Sequence, residues 1–296
     1  MSDSALKQKV EPDELVFTVA NRQLAARYWP GEGTPIVALH GWLDNANSFW
    51  PLIQAAKKNV LSPLAQRPIL ALDFNGHGLS DAFPEGELLH FMNYLLDVTT
   101  AVEAMGWERY TLMGHSMGAV VSSWIAAAFP ERVAQFVAID ALGARVTEVG
   151  EVPSNIRKAI EEHHSLLAKA PRFYQAFEEA VKARMRSMFP VEEESAYLLC
   201  ERGMEQSAQG WAWRTDPRLR GTSGVRLAKE EMLEITSNIQ CPTLFIGANQ
   251  GIAGMGYVND YLSTLKHKTE VWLDGKHHLH MDKPQEVLAA VDDFLR

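Results

Sequence analysis

The sequence predicts an α/β fold with a mostly parallel sheet that is interrupted late in the chain by a helical insertion. Three observations carry this prediction. Short, wholly apolar runs recur along the chain, each ending in Gly, Asp or His, as strands buried on both faces do. Segments with apolar residues at helical spacing separate these runs, which is the alternation that builds parallel sheets. Between residues 141 and 239 the alternation stops, and the stretch is too long for a structureless loop in a compact domain.

The elements follow in order. Residues 15–20 and 23–29 read as an opening hairpin around Asn21-Arg22,. The buried runs are Ile36-Val37-Ala38-Leu39, Pro68 to Leu72, Tyr110 to Met113, Val133 to Ile139, Thr243 to Ile246 and Glu270 to Leu273. With the hairpin they make eight strands. Helices are expected over residues 91–105, over 119–129 up to Pro130, and over 284–295,. Inside the insertion, helical segments are read at residues 155–168, 172–188 and 193–206, with no convincing buried strand. Residues 1–140 and 240–296 are therefore read as a core, and 141–239 as a helical cap over the strand ends.

Composition narrows the function classes. The chain has 296 residues, is 47% apolar and carries a net charge of −9, enough to bury a substantial core and ordinary for a globular protein. Its acidic balance and the lack of a dense basic run argue against nucleic-acid binding. Cys200 and Cys241 have no metal-ligand spacing and read as reduced, buried thiols. No stretch of about 18 apolar residues occurs, and residues 1–15 lack the apolar run of a signal peptide. The expectation is a cytoplasmic protein without integral membrane association, a monomer or homodimer acting on a small molecule.

The chemistry centres on Gly114-His115-Ser116-Met117-Gly118. It fits Gly-x-Ser-x-Gly and lies between an apolar strand and an apolar helix, the setting of a nucleophile elbow. Glycines are needed where the backbone turns tightly against its neighbours. A serine hydroxyl needs a base in hydrogen-bond reach, itself oriented by a third group. Past the last strand stand His277, His278 and His280. His277, just beyond the Gly275 turn, is the expected base; a metal reading of the cluster lacks a partner set. No carboxylate follows the penultimate strand until Asp260. Asp140 ends the strand after the Ser116 helix, from where it can orient the imidazole; Asp260 is the alternative. The expected oxyanion donors are the backbone N–H groups of Met117 and Trp42. His40, Asp73, His77 and Asp97 read as structural.

Taken together, His40-Gly41, Gly76-His77-Gly78-x-Ser80, Gly114-x-Ser116-x-Gly118 and His277 before Pro284 resemble the α/β-hydrolase superfamily across nearly the whole chain. Asp140 in Ala138-Ile139-Asp140, the missing acid after Ile246, the tail from Lys276 to His280 and the segment from Arg202 to Leu219 resemble its serine hydrolase-like (kraken-type) family. Asn75 and Lys276 depart from the Pro and Gly most members carry. The resemblance implies the α/β-hydrolase fold, a mostly parallel eight-stranded sheet flanked by helices, with a helical cap inserted after the sixth strand. Ser rather than Asp at position 116 points to acyl transfer to water and so to a carboxylic ester, with no cofactor and no metal. Short- to medium-chain acyl groups are expected, with His115, Phe173, Phe177, Trp211, Trp213 and Met188 read as candidate lining of the acyl site. The same triad also serves thioester hydrolysis, carbon–carbon bond hydrolysis and perhydrolysis, and the scaffold can act as a ligand-binding receptor.

Overall fold

Apolar runs such as Ile36–Leu39 have no polar face to offer water, so they pair with one another and hide both faces under helices. The computed structural model describes residues 11–296. Its strands, among the described residues, are β1 (Asp13–Val19), β2 (Arg22–Trp29), β3 (Ile36–Leu39), β4 (Ile69–Leu72), β5 (Tyr110–His115), β6 (Val133–Ile139), β7 (Met204–Ser207), β8 (Gly210–Trp213), β9 (Thr243–Gln250) and β10 (Lys268–Lys276). Eight form one sheet in the order β1-β2-β4-β3-β5-β6-β9-β10. β2 runs antiparallel to β1 and β4, and every pairing from β4 onward is parallel. The architecture is the α/β-hydrolase fold expected above.

The helices are α1 (Trp50–Lys57), α2 (Pro63–Gln66), α3 (Phe91–Ala104), α4 (Met117–Ala128), α5 (Val152–Leu167), α6 (Phe177–Met185), α7 (Glu193–Gly203), α8 (Lys229–Ser237), α9 (Asn259–Thr264), α10 (Leu279–Asp282) and α11 (Pro284–Leu295). Strand alternation divides the core in two. Val37, Leu39, Leu112 and Phe245 pack on the side of α3, α4, α8 and α9. Ile36, Ala38, Met113 and Ile246 pack on the side of α1, α2 and α11.

Because β3 to β6, β9 and β10 are parallel, their C-terminal ends share one edge of the sheet. Register makes the alignment close: His115 on β5 lies opposite Ile139 on β6, so the next residues, Ser116 and Asp140, leave the sheet side by side. His277 follows the end of β10. Over this edge sits the insertion, with its own small core around Tyr174, Val181, Ala196, Cys200 and Met204.

The insertion differs in detail from the all-helical expectation. Helix α6 spans only Phe177–Met185, and Tyr174, just before it, bridges to Trp211 in an extended pairing. Helix α7 stops at Gly203, and residues 204–213 form the β7–β8 hairpin. Gly203 ends the helix tucked against the Trp213 ring, where a Cβ would come within 2.9 Å of it. The backbone beyond it is satisfied by pairing across the hairpin and, at Trp211, by hydrogen bonds exchanged with Tyr174,. The last helix, α8, packs onto α4 and α9 and places Met232 in the main core, so the insertion is part cap and part core layer.

Candidate active site

Ser116 sits at a turn that glycine makes possible. Its own backbone is left-handed, with φ +52° and ψ −117°, a conformation that costs an L-residue on the order of 1 kcal/mol or more. A Cβ on Gly118 would strike the Leu39 carbonyl of β3, and one on Gly114 would strike Gly118 and Ala119. The helix therefore starts hard against the sheet edge, with the Ser116 side chain partly open above it. Met117 is the first residue of α4, where N–H groups have no partner within the helix.

The three residues singled out in the sequence meet. His277 Nε2 lies 2.9 Å from Ser116 Oγ, and His277 Nδ1 lies 2.7 Å from Asp140 Oδ2. The carboxylate accepts from Nδ1–H, which leaves Nε2 free to accept from the serine hydroxyl. Asp140, wholly buried, also has a left-handed φ of +53°. Its Oδ1 accepts from the Ala248 N–H at 2.9 Å and its Oδ2 from the Ile252 N–H at 2.9 Å. The end of β9 and the turn after it thus supply donors in place of an acid. Gly251 is obligatory there, because a Cβ would overlap the Asp140 carboxyl. Asp260 stands elsewhere, exposed and paired with Lys229 at 2.5 Å.

A cavity of about 450 Å³ opens on Ser116. One wall is α4, from Met117 through Val120 to Trp124, a run of eight residues that spans about 10 Å of helix. Phe91 and Met92 from α3, Ala141 to Arg145 after β6, Ile252 and Tyr257 after β9, and Val225 to Leu227 of the insertion complete it. The aromatic side chains expected to line the acyl site are not among its residues, which corrects that reading. Phe177 and Trp211 stack on each other at 5.0 Å within the cap's own cluster. Phe173 lies half-buried beside them in the chain. Trp213 and Met188 line a separate cleft with Trp42 and His278, and Met188 is 78% exposed. His115 is fully buried beneath the site, its Nε2 donating to the His277 carbonyl at 2.9 Å.

The fold and this strand-end cluster match a described family. A model of the alpha/beta hydrolase fold family covers residues 34–284. The chain belongs to the α/β-hydrolase family. Within it, the chain groups with the serine hydrolase-like proteins, as the sequence motifs suggested. It is 30% identical to a serine hydrolase-like protein of Danio rerio over 93% of this chain and 85% of that one. A mouse serine hydrolase-like protein is 29% identical, covering 96% and 95%. The crystal structure of a hypothetical protein from Pseudomonas aeruginosa PAO1 is 37% identical, with a TM-score of 0.88 over 96% of this chain and 99% of that one.

In this α/β hydrolase the remaining histidines and the cap form a buried support. His278 Nε2 lies 2.9 Å from Asp44 Oδ2, and Arg184 of α6 donates to Asp44 Oδ1 at 2.9 Å. Burial alone would raise the Asp44 carboxyl, but His278 and Arg184 outweigh it and hold it well below the usual range. Burial lowers His278 and, more strongly, His280 and His115, so all three are neutral imidazoles at pH 7. His280 meets Ser48 Oγ at 3.2 Å and stacks on His115 at 4.1 Å. Phe189 of the cap covers His277, ring to ring at 4.5 Å. The Trp42 indole donates to the Leu219 carbonyl of the insertion at 2.8 Å. The hydrolase's cap is thus bolted to both loops that flank Ser116.

Asp44, Arg184, Phe189 and the N–H donors of Ala248 and Ile252 had not been singled out in the sequence. Asp44 and Arg184 carried no distinctive signal, Arg184 standing in the charged run from Lys182 to Arg186. The backbone donors carried none. His40 and Asp73 are structural as read: His40 donates to the Gly41 carbonyl and accepts from the Phe74 N–H, and Asp73 binds the Ala46 N–H and Arg202 of α7.

Proposed function

We propose that this hydrolase cleaves carboxylic esters through an acyl-enzyme on Ser116. The observation that carries the reading is the unbroken Asp140–His277–Ser116 hydrogen-bond chain opening into an apolar cavity. His277 takes the Ser116 proton as Oγ attacks the ester carbonyl. Asp140 holds the imidazole in the needed tautomer and stabilises the imidazolium. The N–H groups of Met117 and Trp42 are the proposed donors to the tetrahedral oxyanion, with the N-terminus of α4 adding its dipole. The C–O bond then breaks as His277 gives its proton to the departing alcohol. Water, deprotonated by His277, attacks the acyl-serine and releases the acid.

The lining favours acyl chains of short to medium length, since the helix wall offers about 10 Å beyond the nucleophile and Trp124 stands at its far end. A panel of 4-nitrophenyl acetate, butyrate and octanoate tests the proposal on wild type and Ser116→Ala, beside fluorophosphonate labelling. Turnover and labelling in wild type, both lost in Ser116→Ala, are expected. Wild-type protein that does neither would end the ester assignment.

A further inference from the structure

We propose that Arg145 and Arg226 form an anion-recognition pair beside Ser116, selecting substrates that carry a carboxylate or phosphate as well as an apolar acyl chain; this rests on the ester-hydrolase reading above. Both arginines line the mostly apolar cavity that opens on Ser116, with His90 and Ser223 as further polar side chains besides the serine itself. Arg145 follows the β6 end, five residues after Asp140, and Arg226 belongs to the insertion segment that crosses it. A hydrogen bond from the Thr147 N–H to the Leu227 carbonyl, 3.3 Å, ties these two segments together. The two cations therefore stand on neighbouring strands of backbone at the same rim.

Neither guanidinium has an ion pair or hydrogen bond among the described residues. Arg22, Arg27, Arg132, Arg184, Arg202, Arg214 and Arg218 each have a carboxylate partner. Arg109, Arg157, Arg186 and Arg220 likewise show no ion pair among the described residues, and what sets Arg145 and Arg226 apart is that they stand together on the lining of the cavity that opens on Ser116. Asp260, carried by α9 beyond the cavity's Tyr257, is occupied by Lys229. Two like charges beside an apolar wall repel each other, and an anion bound between them removes that repulsion. Guanidinium groups also match carboxylate and phosphate oxygens in pairs. A ligand group that enters with the substrate is the partner this arrangement lacks.

Two matched substrate pairs test the proposal and separate the sources of the anion. For a carboxylate on the acyl chain, 4-nitrophenyl valerate is compared with the mono-4-nitrophenyl ester of glutaric acid. For phosphate on the leaving group, valeryl-pantetheine is compared with valeryl-coenzyme A. In at least one pair the anionic member should have the higher kcat/KM by about tenfold at low salt, the ratio shrinking several-fold as salt rises to roughly 0.5 M. Arg145→Ala with Arg226→Ala should bring that ratio close to one, and Arg226→Glu should invert it. Ratios near one in wild type, or unmoved in the double variant, overturn the proposal while valerate turnover keeps the ester reading standing. Loss of all turnover and labelling in wild type instead removes the ester reading itself.

Discussion

Ser116 and Asp140 are the two residues here whose left-handed backbones are tied directly to the proposed chemistry. Each is over-determined by its surroundings. Ser116 is pinned by the helix that begins at Met117 and by a hydrogen bond from its N–H to the Ile139 carbonyl at 3.0 Å. Asp140 is pinned by His277, by the N–H groups of Ala248, Ile252 and Ala253, and by its own N–H on the Ile246 carbonyl at 2.8 Å. Strain of this kind persists only where the surround outweighs it. Asp140→Asn should reduce kcat for 4-nitrophenyl butyrate by about 10³–10⁴, because the amide can present its NH₂ to Nδ1 and favour the wrong tautomer. Asp260→Asn, at an exposed ion pair, should change kcat by less than about twofold. Stopped assays on the two variants decide between them; the reverse order would move the acid to Asp260.

At the scale of elements, α4 does two things at once. Its first turn starts against β3 and presents Ser116, and its next two turns form a wall of the cavity through Val120 and Trp124. Under the proposed ester hydrolysis, one helix face therefore sets the chain-length preference. Val120→Phe adds bulk a single turn past the nucleophile and should shift the preferred acyl chain toward acetate, with butyrate kcat/KM falling about tenfold. Trp124→Ala opens the far end and should shift the preference toward octanoate. A nitrophenyl ester series on both variants reads this directly; an unchanged profile in both would place the acyl chain elsewhere. The cap elements act from the opposite side. Arg184 of α6 reaches Asp44, Arg202 of α7 reaches Asp73, and Leu219 receives the Trp42 indole N–H. Breaking a buried pair of this sort leaves an uncompensated charge, so the cap is held as part of the structure.

For the whole molecule, five buried histidines set the response to acid. Burial lowers His40 to about 4 and His77 to about 3, and lowers His115, His278 and His280 as well. In the unfolded chain these imidazoles take up protons below about pH 6.5; in the fold they do so only at lower pH. The unfolded state therefore binds more protons as pH falls through 6.5, and stability drops by up to about 1.4 kcal/mol per pH unit per histidine. His40 alone contributes on the order of 3 kcal/mol down to pH 4. Asp97 works in the other direction: burial, opposed by Arg22, raises its carboxyl to about 7, so stability from that group grows on acidification. One such group against five leaves the histidines in control. Urea unfolding should show stability highest near pH 7–8 and falling steeply between pH 6.5 and 4.5. A flat or rising profile over that range would mean the imidazoles are not held neutral.

The sequence by itself determined the order of strands and helices, the elbow at Ser116, the candidate base at His277 and the candidate acid at the end of β6. These are local properties: an apolar run of four to seven residues must be buried, and a glycine on either side of Ser116 is required by the turn. Parallel pairing then puts every such strand end on one edge, so reading where each run stops is enough to gather the residues. Tertiary structure alone decided what covers that edge. An amphipathic pattern says that Phe177 or Trp211 has a buried side, but not whether the partner is the cavity or another cap residue, and here it is the cap. In the same way, no pattern announced that the end of β9 and its following turn hold Asp140 with the N–H groups of Ala248 and Ile252. Backbone donors are present in every residue but proline, and only packing shows which of them face a carboxylate.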